Sequence, residues 1–402
     1  MNLYGSPFED GVETYLPRGV DHLGFIEAKL RDLRGFATLA HELIQNADDA
    51  KTNAKVISFD VCDDALIVDN DGKFSDCGEM EERVCPWKND PTIGHSCDFH
   101  RFRTVASRDK REEEGTTGAF GIGFIAVYQI TDHPEVISGG RHWILYDENP
   151  ENKRIQVCPG CEQCQRSDLP GTRFVLPWAD DPHSSMRKRL RAEPVTKEDQ
   201  IALIEELESK LPVAMIFLKK LERIEIKENG RLRKYFERIV EGNQLLISDG
   251  DKEHDRIWNI IKGDFEVSAK SLRERHSGRI EDKRSHEVQL ALPDGPAASG
   301  RFCVCLPTEH DTGLPFHINA DFFSSSDRKK IILESDYQSQ WNYAAIEGAA
   351  EALANTFQKL PDILGHKILW ELITSIFKVK QEVEQGKRHV ILGLFWEKLS
   401  PV

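Results

Sequence analysis

The ten residues HELIQNADDA, 41–50, and the stretch before them constrain this chain more than any other feature. Leu33, Phe36, Ala37, Ala40, Leu43, Ile44 and Ala47 recur at three- and four-residue spacing and draw one apolar stripe along a helix. Glu42, Asn46 and Asp49 fall on the other side. An amphipathic helix ordinarily turns that side to water and mixes Lys and Arg into it. Here three short oxygen-bearing side chains stand in line without a basic partner. The pattern is open to two readings: a solvated face, or a face that holds a hydrated cation and polarises a water.

Length and composition narrow the classes. A chain of 402 residues has room for two or three domains, and 39% hydrophobic with 30% charged residues is the make-up of a soluble globular protein. A formal net charge of −15 argues against a surface built throughout to grip nucleic acid, although RFRTVASRDKR and MRKRLR leave room for a local basic patch. No apolar run nears the length of a membrane span, and MNLYGSPFEDGVETY lacks the basic start and apolar core of a signal peptide. Nine cysteines, mostly scattered, fit a reduced, cytoplasmic setting.

Along the chain, AKVISFDV and DALIVDN read as two strands joined by a short turn. Residues 75–117 are irregular and rich in charge, Gly, Pro and Cys, and a connection of that length inside a domain is ordinarily a lid or disordered. GAFGIGFIAVYQI reads as a Gly-rich turn entering a helix, and EVISGG, HWILYDE, RIQVCPG and TRFVLPW as a meander. Residues 181–199 read as a linker. IALIEELESKLPVAMIFLKKL is a helical pattern interrupted at Pro212, and RIEIKENGRLRKYF is a hairpin around Asn229-Gly230. QLLISDG, EVQLALP and GRFCVCLP are strand-like, and the chain turns helical from Asp336.

Three further stretches bear on the opening helix. Asp69 ends a strand and is followed by Asn70, Asp71 and Gly72; an acid there can accept from an exocyclic amine, though Asp-Gly is also a common turn. Gly118, Gly121 and Gly123 precede a helix, where backbone N–H groups can approach phosphates; a tight turn is the plain alternative. Thr172 follows Gly171 at a strand start, which by itself is an ordinary turn.

Taken together and in order, these elements resemble the Bergerat ATP-binding (GHKL) fold of gyrase, the ninety-kilodalton heat-shock chaperone, histidine kinases and MutL. The match runs through Glu42-Leu-Ile-Gln-Asn46, Asp69-Asn-Asp-Gly-Lys-Phe74 and Gly118-Ala-Phe120-Gly121-Ile122-Gly123-Phe124. Within that superfamily the chain is most similar to the sacsin and Nov-type chaperone-like ATPases, through GTTGAFGIGFIAVYQITDHPEVISG, LPVAMIFLKKLERIEI and PFHINADFFSSSDRKKI. The likeness is strong to about residue 178 and moderate to about 345. It departs at Asp71, where the chaperone branch has a glycine.

The resemblance implies an α+β architecture: a Bergerat α/β sandwich over 1–180 with its lid at about 75–117, a linker at 181–199, a split βαβ transducer-like domain over 200–345 and a helical tail over 346–402. It implies ATP and Mg²⁺ as ligands. Asn46 would hold the ion, Glu42 would orient and deprotonate the attacking water, and Asp49 would support the adenine or ribose side. Asp69, with Asp71 as competitor, would accept the adenine amine, backed by Thr172. Gly72 and Phe74 would line the pocket, and the backbone around Gly121 and Gly123 would hold phosphates. A cation for the terminal phosphate would come from Arg328, Lys329 or Lys330, or less favourably from Arg108, Lys110 or Arg111 in the lid.

Cys158-Pro-Gly-Cys161-Glu-Gln-Cys164 has zinc-knuckle spacing but only three local ligands; His142, or Cys85, His95, Cys97 and His100 of the lid, would complete a Zn²⁺ site, and reduced surface cysteines are the alternative. Two functions follow. One is an ATP-driven conformational machine that closes a lid, couples two domains and pairs with a second copy, residues 1–25 acting as an exchanged arm. The other is a nucleotide-gated module that hydrolyses little and recruits a protein or nucleic-acid partner. A histidine kinase would need a phosphoacceptor helix ahead of the nucleotide domain, and none is present.

Overall fold

The runs VISFDV and ALIVDN pair as antiparallel strands β1 (Val56–Val61) and β2 (Ala65–Asn70). The computed structural model describes residues 21–50, 52, 54–103, 123–162, 171–295, 299–334 and 336–400. On β2, Leu66, Val68 and Asn70 are buried, and they lie opposite Leu176, Phe174 and Thr172 of β6 (Thr172–Pro177), so these six side chains share one face. Beyond β6 come β3 (Glu135–Ser138), β4 (Arg141–Leu145) and β5 (Ile155–Val157). The expected four-strand meander is therefore corrected: β6 returns to sit between β2 and β3.

The other edge of β1 continues the sheet. It pairs in parallel with β7 (Arg223–Glu228), which turns through Asn229 and Gly230, both at positive φ, into β8 (Arg231–Glu241). This is the hairpin legible in the sequence, since only left-handed-tolerant residues fit that two-residue turn. Then come β9 (Gln244–Ser248), β10 (Arg256–Asp264), β11 (Glu287–Pro293), β12 (Arg301–Val304), β13 (Leu306–Asp311) and β14 (His317–Ala320). Among the described residues, the fourteen strands form one mixed sheet in the order β13-β12-β14-β11-β10-β9-β8-β7-β1-β2-β6-β3-β4-β5.

Helices α1 (His22–Asp32), α2 (Phe36–Asp49), α3 (Asp98–Phe102), α4 (Ser185–Leu190) and α5 (Lys197–Ala214) belong to the first hydrophobic core or border it. Helix α5 starts at a capping box of Thr196 and Asp199 and runs on through Pro212, contrary to the expected interruption. A proline that close to the helix end removes a single backbone bond. Helices α6 (Glu266–Arg275), α7 (Tyr337–Thr356), α8 (Leu360–Glu384) and α9 (Leu394–Leu399) pack around a second core, and the tail is helical as expected. No described helix is long and apolar enough to cross a membrane.

The stretch 181–199 is packed rather than a free linker. Arg187 on α4 is 2% exposed and donates to the carbonyls of Tyr128, Gln129 and Thr131 while pairing with Asp132. Met186 and Leu190 fill the core beside it. The first core also takes in Leu203, Ile204, Leu207, Ile224, Phe236 and Ile247, all beyond residue 199.

Candidate functional site

Helix α2 is not turned to water. Glu42 is 4% exposed, Gln45 and Asp48 are buried, and Asn46 and Asp49 are half-buried. A buried carboxylate needs a partner, and Glu42 finds one far away in sequence: its Oε1 lies 2.7 Å from the Arg328 guanidinium, which also donates to Gln45 Oε1. Arg328 sits in a tight turn after β14. Ser325 N–H donates to the Lys330 carbonyl at 2.8 Å, Arg328 N–H to the Ser325 carbonyl at 2.9 Å, and Arg328 itself has φ 54°. A long side chain in left-handed backbone is uncommon and is characteristic of functional sites. Of the neighbouring cations, Lys329 lies 3.4 Å from Glu309, and the Lys330 charge acts on His310.

The Glu42 carboxylate also lies directly against Gly123. A Cβ at position 123 would overlap it. Gly123 opens the 3₁₀ segment Gly123–Gln129, and the sequence that follows ties this segment down. Gln129 accepts from Gly35 N–H at 2.7 Å and donates to the Leu33 carbonyl at 2.8 Å, which holds the start of α2. Tyr128 donates to Asp147, which also meets His22 Nε2 at 2.6 Å. Gly118, Phe120, Gly121, Ile122, Arg108, Lys110 and Arg111 lie outside the described residues. Gly123→Ala is expected to destabilise the fold by about 1–3 kcal/mol, because the added Cβ must push the Glu42 carboxylate off its bond to Arg328. Denaturant midpoints test this, and a shift below about 0.5 kcal/mol would mean that Glu42 swings away freely.

The polar end of β2 departs from expectation. Asp69 faces away from Val68 and Phe174 and is held bidentately by Arg173, at 2.7 and 2.8 Å, so it is not poised to read a base. Asp71 accepts from the N–H groups of Lys55 and Val56, at 2.7 and 3.0 Å, and serves as a strand cap. Asn70 is the residue on the inner face, opposite Thr172. Thr172 donates to the Gly72 carbonyl at 2.7 Å and meets Ser138 Oγ at 2.8 Å; Ser138 in turn accepts from Phe74 N–H at 2.9 Å. Gly171 is required beside it, because a Cβ there would strike the backbone of Asn70 and Asp71. The same inner face carries Phe124, whose ring centroid is 5.4 Å from Phe174 and 5.0 Å from Phe102.

Two features were missed from sequence. Asp48, 1% exposed, accepts from the N–H groups of Lys219, Lys220 and Leu221 at 2.9, 2.7 and 2.9 Å. It ties α2 to the chain that enters β7. A cleft of about 1000 Å³ also opens between α2, α5 and the second core, bordered by His41, Glu42, Lys210, Arg301, His317 and Arg328. Burial pushes the His41 and His317 imidazoles down to about 4, with nearby cations adding to it. Their neutral forms therefore prevail at neutral pH.

Of the cysteines, Cys158 and Cys161 gather with His142, whose Nδ1 is 3.6 Å from Cys161 Sγ and whose Nε2 is 2.7 Å from Glu135. Cys164 lies outside the described residues. The lid set does not complete this group. Cys77, Cys85, Cys97 and His100 form a cluster of their own, and His95 turns to the Ser96 carbonyl instead.

Residues 25–157 match the family model of the sacsin domain. This part of the chain is similar to the sacsin domain. Human sacsin is 24% identical over 372 residues, which covers 75% of this chain and 8% of the human protein. Protein NO VEIN of Arabidopsis thaliana is 23% identical over 355 residues, covering 80% of this chain and 11% of the plant protein. The chain thus spans about a tenth of the length of these relatives. The sacsin-domain match encloses α2, β2, the Gly123 segment and the cysteine cluster around His100, whereas Arg328 comes from outside it.

Proposed function

We propose that this chain binds ATP with Mg²⁺ in a Bergerat-type pocket and hydrolyses it, with the second unit supplying the cation. One observation carries the reading: Arg328, from the turn after β14, meets the buried Glu42 carboxylate where it abuts Gly123. The donor set fits the ligand. An amide oxygen at Asn46 and a carboxylate one helical turn away suit a hard, oxygen-seeking ion, and the Cβ-free surface at Gly123 lets a phosphate come close. The bound Mg²⁺ supplies charge neutralisation for the phosphoryl group.

The residues of the chain divide the remaining work. Asn46 holds the ion, and Asp49 supports the sugar side. Asn70 takes the base-facing place expected of Asp69: its Oδ1 accepts from Gly72 N–H at 3.0 Å and keeps a second lone pair on the inner face, while Thr172 and Ser138 hold the neighbouring Gly72 and Phe74 backbone. While Glu42 is paired with Arg328 its carboxylate is held by the guanidinium. A substrate phosphate arriving at Gly123 competes for the guanidinium, and the carboxylate so released takes a proton from water. Arg328 then neutralises charge on the transferring group, the service an arginine performs in many phosphoryl transfers. The same transfer couples the two units, closes the lid and favours pairing of two chains.

Calorimetric ATP titration and turnover assays with Mg²⁺ on the wild type and Arg328→Ala test this. Turnover in the variant is expected to fall by about 10²–10³-fold while ATP affinity stays within about fivefold. Wild-type chain that binds no ATP removes the reading altogether. Binding without turnover in either form favours the nucleotide-gated module.

A further inference from the structure

We propose that Cys77, Cys85, Cys97 and His100 are the four ligands of a structural zinc site that closes the segment 75–103 on itself. Their ligand atoms all lie within 4.8 Å of one another. Cys77 Sγ and Cys97 Sγ are 3.4 and 3.3 Å from His100 Nδ1. A tetrahedron with Zn–S of about 2.3 Å and Zn–N of about 2.0–2.1 Å has an S···N edge of roughly 3.6 Å, close to what is already in place.

The surroundings also suit a metal. His100 Nε2 lies 3.1 Å from the Glu82 carbonyl, which can only accept, so the ring proton sits on Nε2 and Nδ1 presents its lone pair to the sulfurs. Cys97 N–H donates to Cys85 Sγ at 3.2 Å, the kind of bond that steadies a ligating sulfur. Cys97 caps α3, and His100 three residues later projects from the same side. Cys85, Cys97 and His100 are 2%, 0% and 5% exposed. Buried reduced cysteines can serve as plain apolar filler, but filler does not need an imidazole nitrogen aimed between two sulfurs.

The segment needs a fastener. Over residues 75–103 its regular structure is the 3₁₀ turn Pro86–Asn89 and the five-residue α3. Zn²⁺ would displace the protons of three thiols into solvent, take the neutral imidazole as fourth ligand and leave the cluster with one net negative charge. It would join positions 77, 85 and 97–100, and so hold Phe99 against Trp143 (centroids 4.9 Å) and Phe102 against Phe124 (5.0 Å), one residue from Gly123. The proposal rests on the cysteine geometry and stands apart from the ATP reading.

The test is elemental analysis of the full chain, expressed with zinc and dialysed against metal-free buffer, followed by cobalt titration of chelator-stripped protein. Cys97→Ser and Cys85→Ser are expected to hold about one zinc ion per chain fewer than the wild type, and Cys158→Ser to keep that ion. Stripped wild type should develop the intense long-wavelength band of tetrahedral cobalt. His100→Cys should retain the metal with a stronger sulfur charge-transfer band, which keeps the question open to decision if the serine variants fail to fold. A zinc-free wild type with no tetrahedral cobalt band overturns the proposal. So does zinc that leaves with Cys158→Ser and stays with Cys97→Ser.

Discussion

Replacing Glu42 with glutamine is expected to lower ATP turnover by about 10³-fold while ATP affinity stays within about threefold. Glutamine preserves the shape of the side chain and can still accept a hydrogen bond from Arg328, so the substitution removes charge and basicity and little else. A positioned general base contributes about 10²–10⁴-fold, which sets the size of the effect. Stability should change by only about 1 kcal/mol, because Arg328 is 37% exposed and can turn its charge to water when its partner is neutralised. The paired measurement is steady-state turnover with Mg²⁺ and equilibrium binding on the same preparation. Unchanged turnover would remove Glu42 from the chemistry and leave its bond to Arg328 as an interdomain tie. Lost binding would instead place Glu42 in ligand recognition.

Asp48→Ala carries the largest expected cost in stability, about 3–5 kcal/mol. The carboxylate is enclosed and accepts three backbone N–H groups, from Lys219, Lys220 and Leu221. Each buried donor left without a partner costs about 1–3 kcal/mol, and partial rescue by water keeps the sum below the simple total. The backbone concerned carries the chain from α5 into β7, the strand that pairs with β1, and Lys220 Nζ adds a bond to the Ala50 carbonyl at 2.7 Å. Loosening it should also weaken the register between α2 and the turn bearing Arg328. Urea denaturation is the measurement: the midpoint should fall with little change in slope. A loss under about 1 kcal/mol would show that water replaces the carboxylate. Asp48→Asn, which keeps an acceptor and loses the charge, should fall between the two.

Asp48 and Glu42 illustrate how differently the sequence informs on neighbouring positions. The apolar stripe from Phe36 to Ala47 determines that α2 is a helix with one side in the core, because three- and four-residue spacing gathers those side chains; Leu33 falls outside it, at the end of α1. Asn229-Gly230 likewise determines a tight hairpin, since both positions need positive φ. The contact of Glu42 with Gly123 joins two of the motifs that are read in order along the chain.

What the tertiary structure decided lies one residue to either side of what a pattern resolves. Successive residues on a helix point about 100° apart, so Asp48 and Asp49 look alike in sequence, yet Asp48 is the one that reaches the Lys219–Leu221 backbone. Successive residues on a strand point to opposite faces, and the pairing of Asn70 with Thr172 turns Asn70 inward and gives Asp69 to Arg173. Of Arg328 and Lys329, it is Arg328, in the left-handed turn, that pairs with Glu42 on α2, while Lys329 pairs with Glu309. Cys77 entered the cluster with Cys85, Cys97 and His100 in place of His95, a choice made by loop closure across twenty residues that no local spacing encodes. The sequence by itself determined which elements form and which motifs belong together; the sheet register, the turn geometry and the path of the segment 75–103 decided which of two adjacent side chains stands in each site.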